Sequence, residues 1–290
     1  MVWLIGCNGM LGKETAELLK KENIEFAGTD REIDITDSAA LDEYAAKLVK
    51  AHSSLSYIIN CAAYTNVNKA ESDTELCYAL NATGPGNIAS TAKKYGAKLI
   101  HISTDYVFDG KARIPYKEDD KAAPTGVYGI TKYQGEKAIQ AVFNDYYMIR
   151  TAWLYGKNGN NFVFTMLKLM KEQKPIKVVC DQFGTPTYTG DLARAIVTFV
   201  KRSEIPFGIY HFTNLGETNW YEFTKEIYRL GLKYRQFEQE TSISPCSTSE
   251  YPTPAPRPAY SVLDKSKISA VLDWTIPQWQ ESLETFIKGL

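Results

Sequence analysis

The feature that most narrows the possible folds stands at the start of the chain. Val2–Ile5 is an unbroken apolar run that ends at Gly6, and Gly6-Cys7-Asn8-Gly9-Met10-Leu11-Gly12 spells G-x-x-G-x-x-G. Met10–Lys21 then follows with helical spacing. A strand, a glycine loop and a helix in immediate succession form the opening of a dinucleotide-binding βαβ unit. Its glycines permit a tight turn, close approach of the backbone to a pyrophosphate, and close packing of helix on strand. The helix adds unpaired N–H groups and its positive end. Gly6, Gly9, Met10, Leu11 and Gly12 are therefore the expected cofactor loop.

The βα alternation continues. Ile24–Thr29, Tyr57–Ala63, Ala97–Ser103 and Tyr147–Arg150 are apolar strand candidates, and Ser38–Ala51, Asn81–Tyr95 and Gly129–Val142 are helical. Repeated βα units with apolar strands imply a parallel sheet covered by helices on both faces. We expect a Rossmann-type doubly wound α/β domain over 1–152. The texture changes near Trp153. Loops at Gly156–Asn161, Asp181–Gly190 and the proline-rich Ser244–Pro258 separate helix candidates at Phe162–Lys171, Asp191–Lys201, Trp220–Leu230 and Gln278–Lys288. Residues 153–290 are expected to form mainly a smaller α/β lobe that carries substrate, with a soft boundary and segments free to interweave.

Composition narrows the function classes. Thirty-three Lys+Arg balance thirty-four Asp+Glu, which argues against binding nucleic acid or anionic membrane by bulk charge. No apolar stretch approaches the length of a membrane span, and the apolar start reads as a strand rather than a signal peptide. The five cysteines are scattered without a C-x-x-C pair, which fits a reducing cytoplasm. The three histidines lie far apart, so no metal site is expected. Cys7 reads as a small residue lining a crowded loop.

Asp30 closes the second strand 18 residues after Gly12, near the spacing of an acid that binds the adenosine ribose. A carboxylate there repels a 2′-phosphate and favours NADH, whereas the adjacent Arg31 pairs with that phosphate and favours NADPH. Both cofactors stay open. Asp34 and Ile35 are placed to bracket the adenine, and Ala62, Ala63 and Tyr64 to line the cofactor's path.

Ser103-Thr104-Asp105-Tyr106 follows the fourth strand, and Tyr128-Gly-Ile-Thr-Lys132 opens the next helix. Residues four apart share a helix face. An ammonium beside a phenol lowers its pKa toward that of a working acid–base group. Tyr128 and Lys132 are thus a catalytic pair, with Thr104 supplying a hydroxyl beside the tyrosine.

The glycine triplet, Asn81, Thr104 and the Tyr128/Lys132 pair resemble the extended short-chain dehydrogenase/reductases. Ala62–Val67 with Lys69-Ala-Glu71, Ser103–Gly110, Arg150–Gly156, Asn161-Phe162, Asp181-Gln182 with Gly184-Thr-Pro186, and Arg257-Pro258 with Ser261 are similar to its sugar-nucleotide 4-ketoreductases. The resemblance runs from residue 1 to about 275, with departures at Met10 (often Gln) and Asn68 (frequently Asp). It implies hydride delivery from NADPH or NADH to the C4 carbonyl of dTDP-4-dehydro-L-rhamnose, with Tyr128 protonating the alkoxide and Lys132 holding the nicotinamide ribose. It further implies that Thr104 donates to the same oxygen and that Asp105 contacts a sugar hydroxyl. Trp153 is then expected against the sugar, Asn161 and Phe162 at the nucleotide end, and Arg257 on the diphosphate. The expected assembly is a monomer or homodimer. Two rivals use the same scaffold. A 4,6-dehydratase or C4-epimerase is one, although the dehydratase Thr-Asp-Glu has Tyr106 in place of its glutamate. A non-catalytic NADP-binding regulatory subunit is the other.

Overall fold

The computed structural model describes residues 1–238 and 240–290. Its centre is a six-stranded sheet of β1 (Val2–Ile5), β2 (Phe26–Thr29), β3 (Tyr57–Asn60), β4 (Lys98–Thr104), β5 (Tyr146–Thr151) and β6 (Gly208–His211). The spatial order is β6-β5-β4-β3-β1-β2, and every neighbouring pair is parallel. The chain leaves β1 for β2 on one side and then crosses to β3 on the other. This reversal opens a crevice at the strands' carboxyl ends, where ligands bind in such sheets.

The inner strands β1, β3, β4 and β5 are buried on both faces, and their residues alternate between two cores. Val2, Leu4, Tyr57, Ile59, Ile100, Tyr147 and Ile149 face α1 (Met10–Lys21) and a later helix, Thr189–Lys201. Trp3, Ile5, Ile58, Leu99 and Met148 face α2 (Ser38–His52), α3 (Gly84–Tyr95) and α4 (Val127–Val142). The expected strands and helices of the first half are present. The apolar run from Tyr57 pairs only as far as Asn60, and residues 61–66 are loop.

Beyond Trp153 the chain is woven through both units. Helices Phe162–Lys171, Trp220–Lys233 and Trp279–Lys288 build a lobe around Tyr155, Val163, Leu167, Phe223, Ile227 and Phe286. Helix Thr189–Lys201 instead packs on α1, and Gly208–His211 adds the sixth strand beside β5. Gly-Ile-Tyr-His is short and carries no strong strand pattern, so its place in the sheet is set by pairing with β5. Among the described residues no helix is long and apolar enough to cross a membrane.

One buried ion pair locks the sheet to α4. Arg150 of β5 donates to both carboxylate oxygens of Glu136, through Nε at 2.9 Å and Nη2 at 2.7 Å, and Ser103 Oγ adds a bond of 2.6 Å. Both charged side chains are at most 3% exposed. Removing one partner strands the other charge in a low dielectric. Glu136→Leu is therefore expected to lower the unfolding free energy by about 3–5 kcal/mol, read from urea denaturation.

Candidate active site

The glycine loop is dictated by backbone contacts. Gly6 has φ +78°, and a Cβ there would lie 2.7 Å from the Ala62 nitrogen. A Cβ on Gly12 would lie 2.0 Å from the Gly6 carbonyl oxygen. Gly9 precedes α1 and gives it no side-chain cap, so the first-turn N–H groups of Met10, Leu11 and Gly12 face the loop's mouth. This bare helix start beside β1 and the 61–64 segment has the chemistry that a pyrophosphate requires.

Asp30 directly follows β2 and is tied into this loop. Its Oδ2 accepts from the Asn8 N–H and its Oδ1 from the Arg31 N–H, both at 3.0 Å. Arg31 is exposed, with no ion-pair partner among the described residues. Asp34 turns onto Thr36, whose N–H and hydroxyl both donate at 2.8 Å and hold the carboxyl below its usual range. Ile35 is a core residue, 4% exposed and packed where a Cβ on Gly84 would fall. Ala62, Ala63 and Tyr64 line the crevice half-buried. Asn60 Oδ1 accepts from the Ala62 N–H, and Asn81 both accepts from the Tyr64 N–H and donates to its carbonyl. Burial, with Asp30 and Glu32 nearby, pushes the Cys7 thiol up, the reverse of activation.

Thr104 ends β4 and Tyr128 stands in the first turn of α4, which places the threonine hydroxyl beside the phenol. Thr104 Oγ1 also donates to Asp105 Oδ1 at 2.9 Å. Asp105 is 2% exposed, its Oδ2 has no partner, and burial raises its pKa to about 6. Lys132 is equally buried and donates to the Ile102 carbonyl at 2.6 Å. Desolvation pulls its pKa down to about 8. Burial pushes the Tyr128 hydroxyl well above its ordinary value. Thr104 opposes that rise, whereas Asp105, Tyr106 and Cys77 add to it. The shared helix face is real, but the ammonium is directed at β4.

The substrate-side residues divide. Trp153 has φ +48° and lies flat on Trp220, with ring centroids 3.5 Å apart and planes at 11°. A Cβ on Gly184 would collide with its indole at 2.6 Å. Phe162 extends this aromatic group toward Trp220 and Phe223. Asn161 is committed to structure: it caps the helix that starts at Phe162 by accepting from the Phe164 N–H, and it donates to the Gly156 carbonyl. Arg257, on the proline-rich segment, donates to Tyr106 OH at 2.7 Å and to Asn68 Oδ1 at 2.6 Å. Tyr106 in turn meets Tyr128 edge-on, with centroids 5.5 Å apart. Thr104, Asp105, Tyr128 and Arg257 thus converge, with Tyr106 between the last two.

This geometry has close counterparts. The family model described as the RmlD substrate binding domain matches residues 1–290. The chain belongs to that family. A dTDP-4-dehydrorhamnose reductase of Streptomyces griseus is 39% identical, with 99% of this chain and 93% of the relative aligned. A crystal structure of a dTDP-4-dehydrorhamnose reductase from Clostridium acetobutylicum superposes with a TM-score of 0.90 at 41% identity, covering 99% of this chain and 98% of that one. One from Bacillus anthracis, solved in complex with NADP, gives 0.91 at 38%, covering 100% and 99%.

In this RmlD-family chain several supporting residues escaped the sequence reading. Glu71 Oε1 accepts from the Val127 N–H at 2.9 Å and so caps α4, the helix that carries Tyr128 and Lys132. Only the Lys69-Ala-Glu71 similarity hinted at it. Gly129 lets α4 press on the 105–107 turn, because a Cβ there would lie 2.3 Å from the Tyr106 oxygen. His101 lies beside Lys132 and Asn60 beside His101, with no motif to mark them. Gly→Ala inside a helix ordinarily stabilises by about 1 kcal/mol. Gly129→Ala should instead displace Tyr128 and lower kcat/KM about 100-fold, as a 1 Å misplacement of reacting groups does. Steady-state kinetics of a variant with native circular dichroism would check this.

Proposed function

We propose that the chain catalyses NAD(P)H-dependent reduction of the C4 keto group of dTDP-4-dehydro-L-rhamnose to dTDP-L-rhamnose. The observation that carries this reading is the convergence of Thr104, Asp105 and Tyr128 at the carboxyl end of β4, beside an uncapped phosphate-binding helix. The reductase names of relatives aligned over nearly the whole chain support it.

The cofactor, when bound, supplies a hydride. Gly6, Gly9 and Gly12 leave room for its pyrophosphate, and the N–H groups of Met10, Leu11 and Gly12 bind it. Ala62, Ala63 and Tyr64 form the floor, and Lys132 binds the nicotinamide ribose. Because Asp30 is held on the loop, the free Arg31 guanidinium governs recognition of a 2′-phosphate.

Tyr128 gives its proton to the C4 oxygen as the carbonyl carbon gains hydride, so C=O becomes CH–OH. Burial keeps the phenol protonated across neutral pH, so the proton to be transferred is in place. Thr104 turns its single O–H from Asp105 to the same oxygen. The unpartnered Oδ2 of Asp105 accepts from a sugar hydroxyl. Arg257 is held by two neutral acceptors and keeps its full charge for the diphosphate. Trp153, stiffened by Trp220 and Gly184, forms the wall against the sugar.

Absorbance at 340 nm, followed with purified protein, dTDP-4-dehydro-L-rhamnose and either NADPH or NADH, tests the activity. Oxidation with formation of dTDP-L-rhamnose is expected, and no turnover with either cofactor refutes it. Tyr128→Phe should retain cofactor binding and lose about 10²–10⁴-fold in turnover. Arg31→Ala is expected to raise KM for NADPH about tenfold or more, the worth of a charge-assisted bond, with little change for NADH. Asp30→Ala should weaken both cofactors, because it frees the loop.

A further inference from the structure

Beneath the cofactor crevice three polar side chains stand in line: Asn60 at the end of β3, His101 on β4 and Lys132 on α4. Each is at most 2% exposed. Asn60 Oδ1 accepts from the Ala62 N–H at 3.0 Å, which fixes the orientation of its amide. Asn60 Nδ2 therefore faces His101 Nδ1, 3.0 Å away, as a donor. A neutral imidazole has one N–H and one bare nitrogen. With Nδ1 accepting, the proton sits on Nε2, which lies 3.5 Å from Lys132 Nζ.

We propose that Asn60 and His101 are positioning residues for Lys132: Asn60 fixes the His101 tautomer, so that Nε2–H points at the lysine nitrogen and opposes its ammonium form. The histidine is neutral, because burial and the nearby lysine hold its pKa well below the ordinary value. An ammonium offers only donors, so it meets the Nε2–H as donor against donor. An amine offers a lone pair and accepts from it. The other titratable groups acting on Lys132 are Glu136, Cys77 and Cys61. Glu136 is already bound by Arg150 and Ser103, and burial lifts both thiols. None of these side chains supplies a free acceptor, and the Ile102 carbonyl, which accepts from Lys132 at 2.6 Å, can be met by an amine N–H as well as by an ammonium. One polar line thus joins the Ala62 backbone, at the cofactor floor, to the lysine that binds the ribose. The last clause rests on the reading proposed above, whereas the tautomer does not.

Nitrogen-15 labelling of histidine tests the arrangement directly, because the chain has three histidines and the His101→Phe spectrum assigns the signal. In the free protein at pH 6–9, His101 is expected to show a bare Nδ1 and a protonated Nε2. The reversed tautomer, or an imidazolium at pH 6, would overturn the proposal. Asn60→Asp, which accepts where the amide donated, should move the proton to Nδ1 and turn a lone pair toward Lys132. The loss of NADPH affinity above about pH 8 should then shift upward by about one unit, a tenfold change in proton affinity. A shift without the tautomer switch would assign the effect to the new carboxylate's charge and overturn the relay, as would a switch without a shift. Should NADPH fail to bind at all, the cofactor reading falls while the tautomer result still stands.

Discussion

Direct backbone contact between elements, possible only where a side chain is missing, governs the whole site. Gly12 brings α1 onto the Gly6 carbonyl, Gly129 brings α4 onto the Tyr106 carbonyl, and a Cβ on Gly135 would lie 2.1 Å from the Asn81 oxygen. At each of these points any other residue would force the helix outward. The first contact aims a helix start at the crevice, and the other two seat the helix that presents Tyr128 and Lys132. The Glu136–Arg150 pair completes the attachment, since its charges are satisfied only while α4, β4 and β5 hold their places.

Seating α4 so closely takes its polar groups out of water, and desolvation then sets their protonation. The Tyr128 phenol is raised, Asp105 is held near 6, and Lys132 falls to about 8. The Y-x-x-x-K spacing suggests the opposite for the tyrosine, because it places a lysine on the same helix face. Helix periodicity fixes the face but not the direction of a long side chain. The Ile102 carbonyl draws the ammonium to β4, and burial dominates at the phenol. Asp105 and Tyr128 are thereby set apart, a carboxylate ionised at neutral pH next to a hydroxyl that keeps its proton.

Legibility followed the range of the interactions. The strand–loop–helix opening, the alternation of βα units and the group Thr104, Asp105, Tyr128 and Lys132 are local patterns, and each is found in its expected element. Ile35 and Asn161 read as ligand contacts, and the structure adds a packing role under α3 for one and a helix cap for the other. Their neighbours, Gly84 and Phe164, decide this through packing and an orphan N–H. Glu71 stands only in the Lys69-Ala-Glu71 similarity and Asn60 and His101 in no motif, because the partners that give them a role lie 31 to 56 residues away. The sixth strand is the same case, four residues whose identity as a strand comes from β5.

By itself the sequence determined the doubly wound class, the nucleotide loop and the residue types that can move a proton, since all of these follow from local spacing and the period of apolar residues. Tertiary structure decided the rest. It set which buried group keeps its proton, which arginine retains a free charge, and which predicted contact also serves as a cap. Those outcomes depend on desolvation and hydrogen-bond partners from distant strands, and such quantities exist only once the chain has brought the elements together.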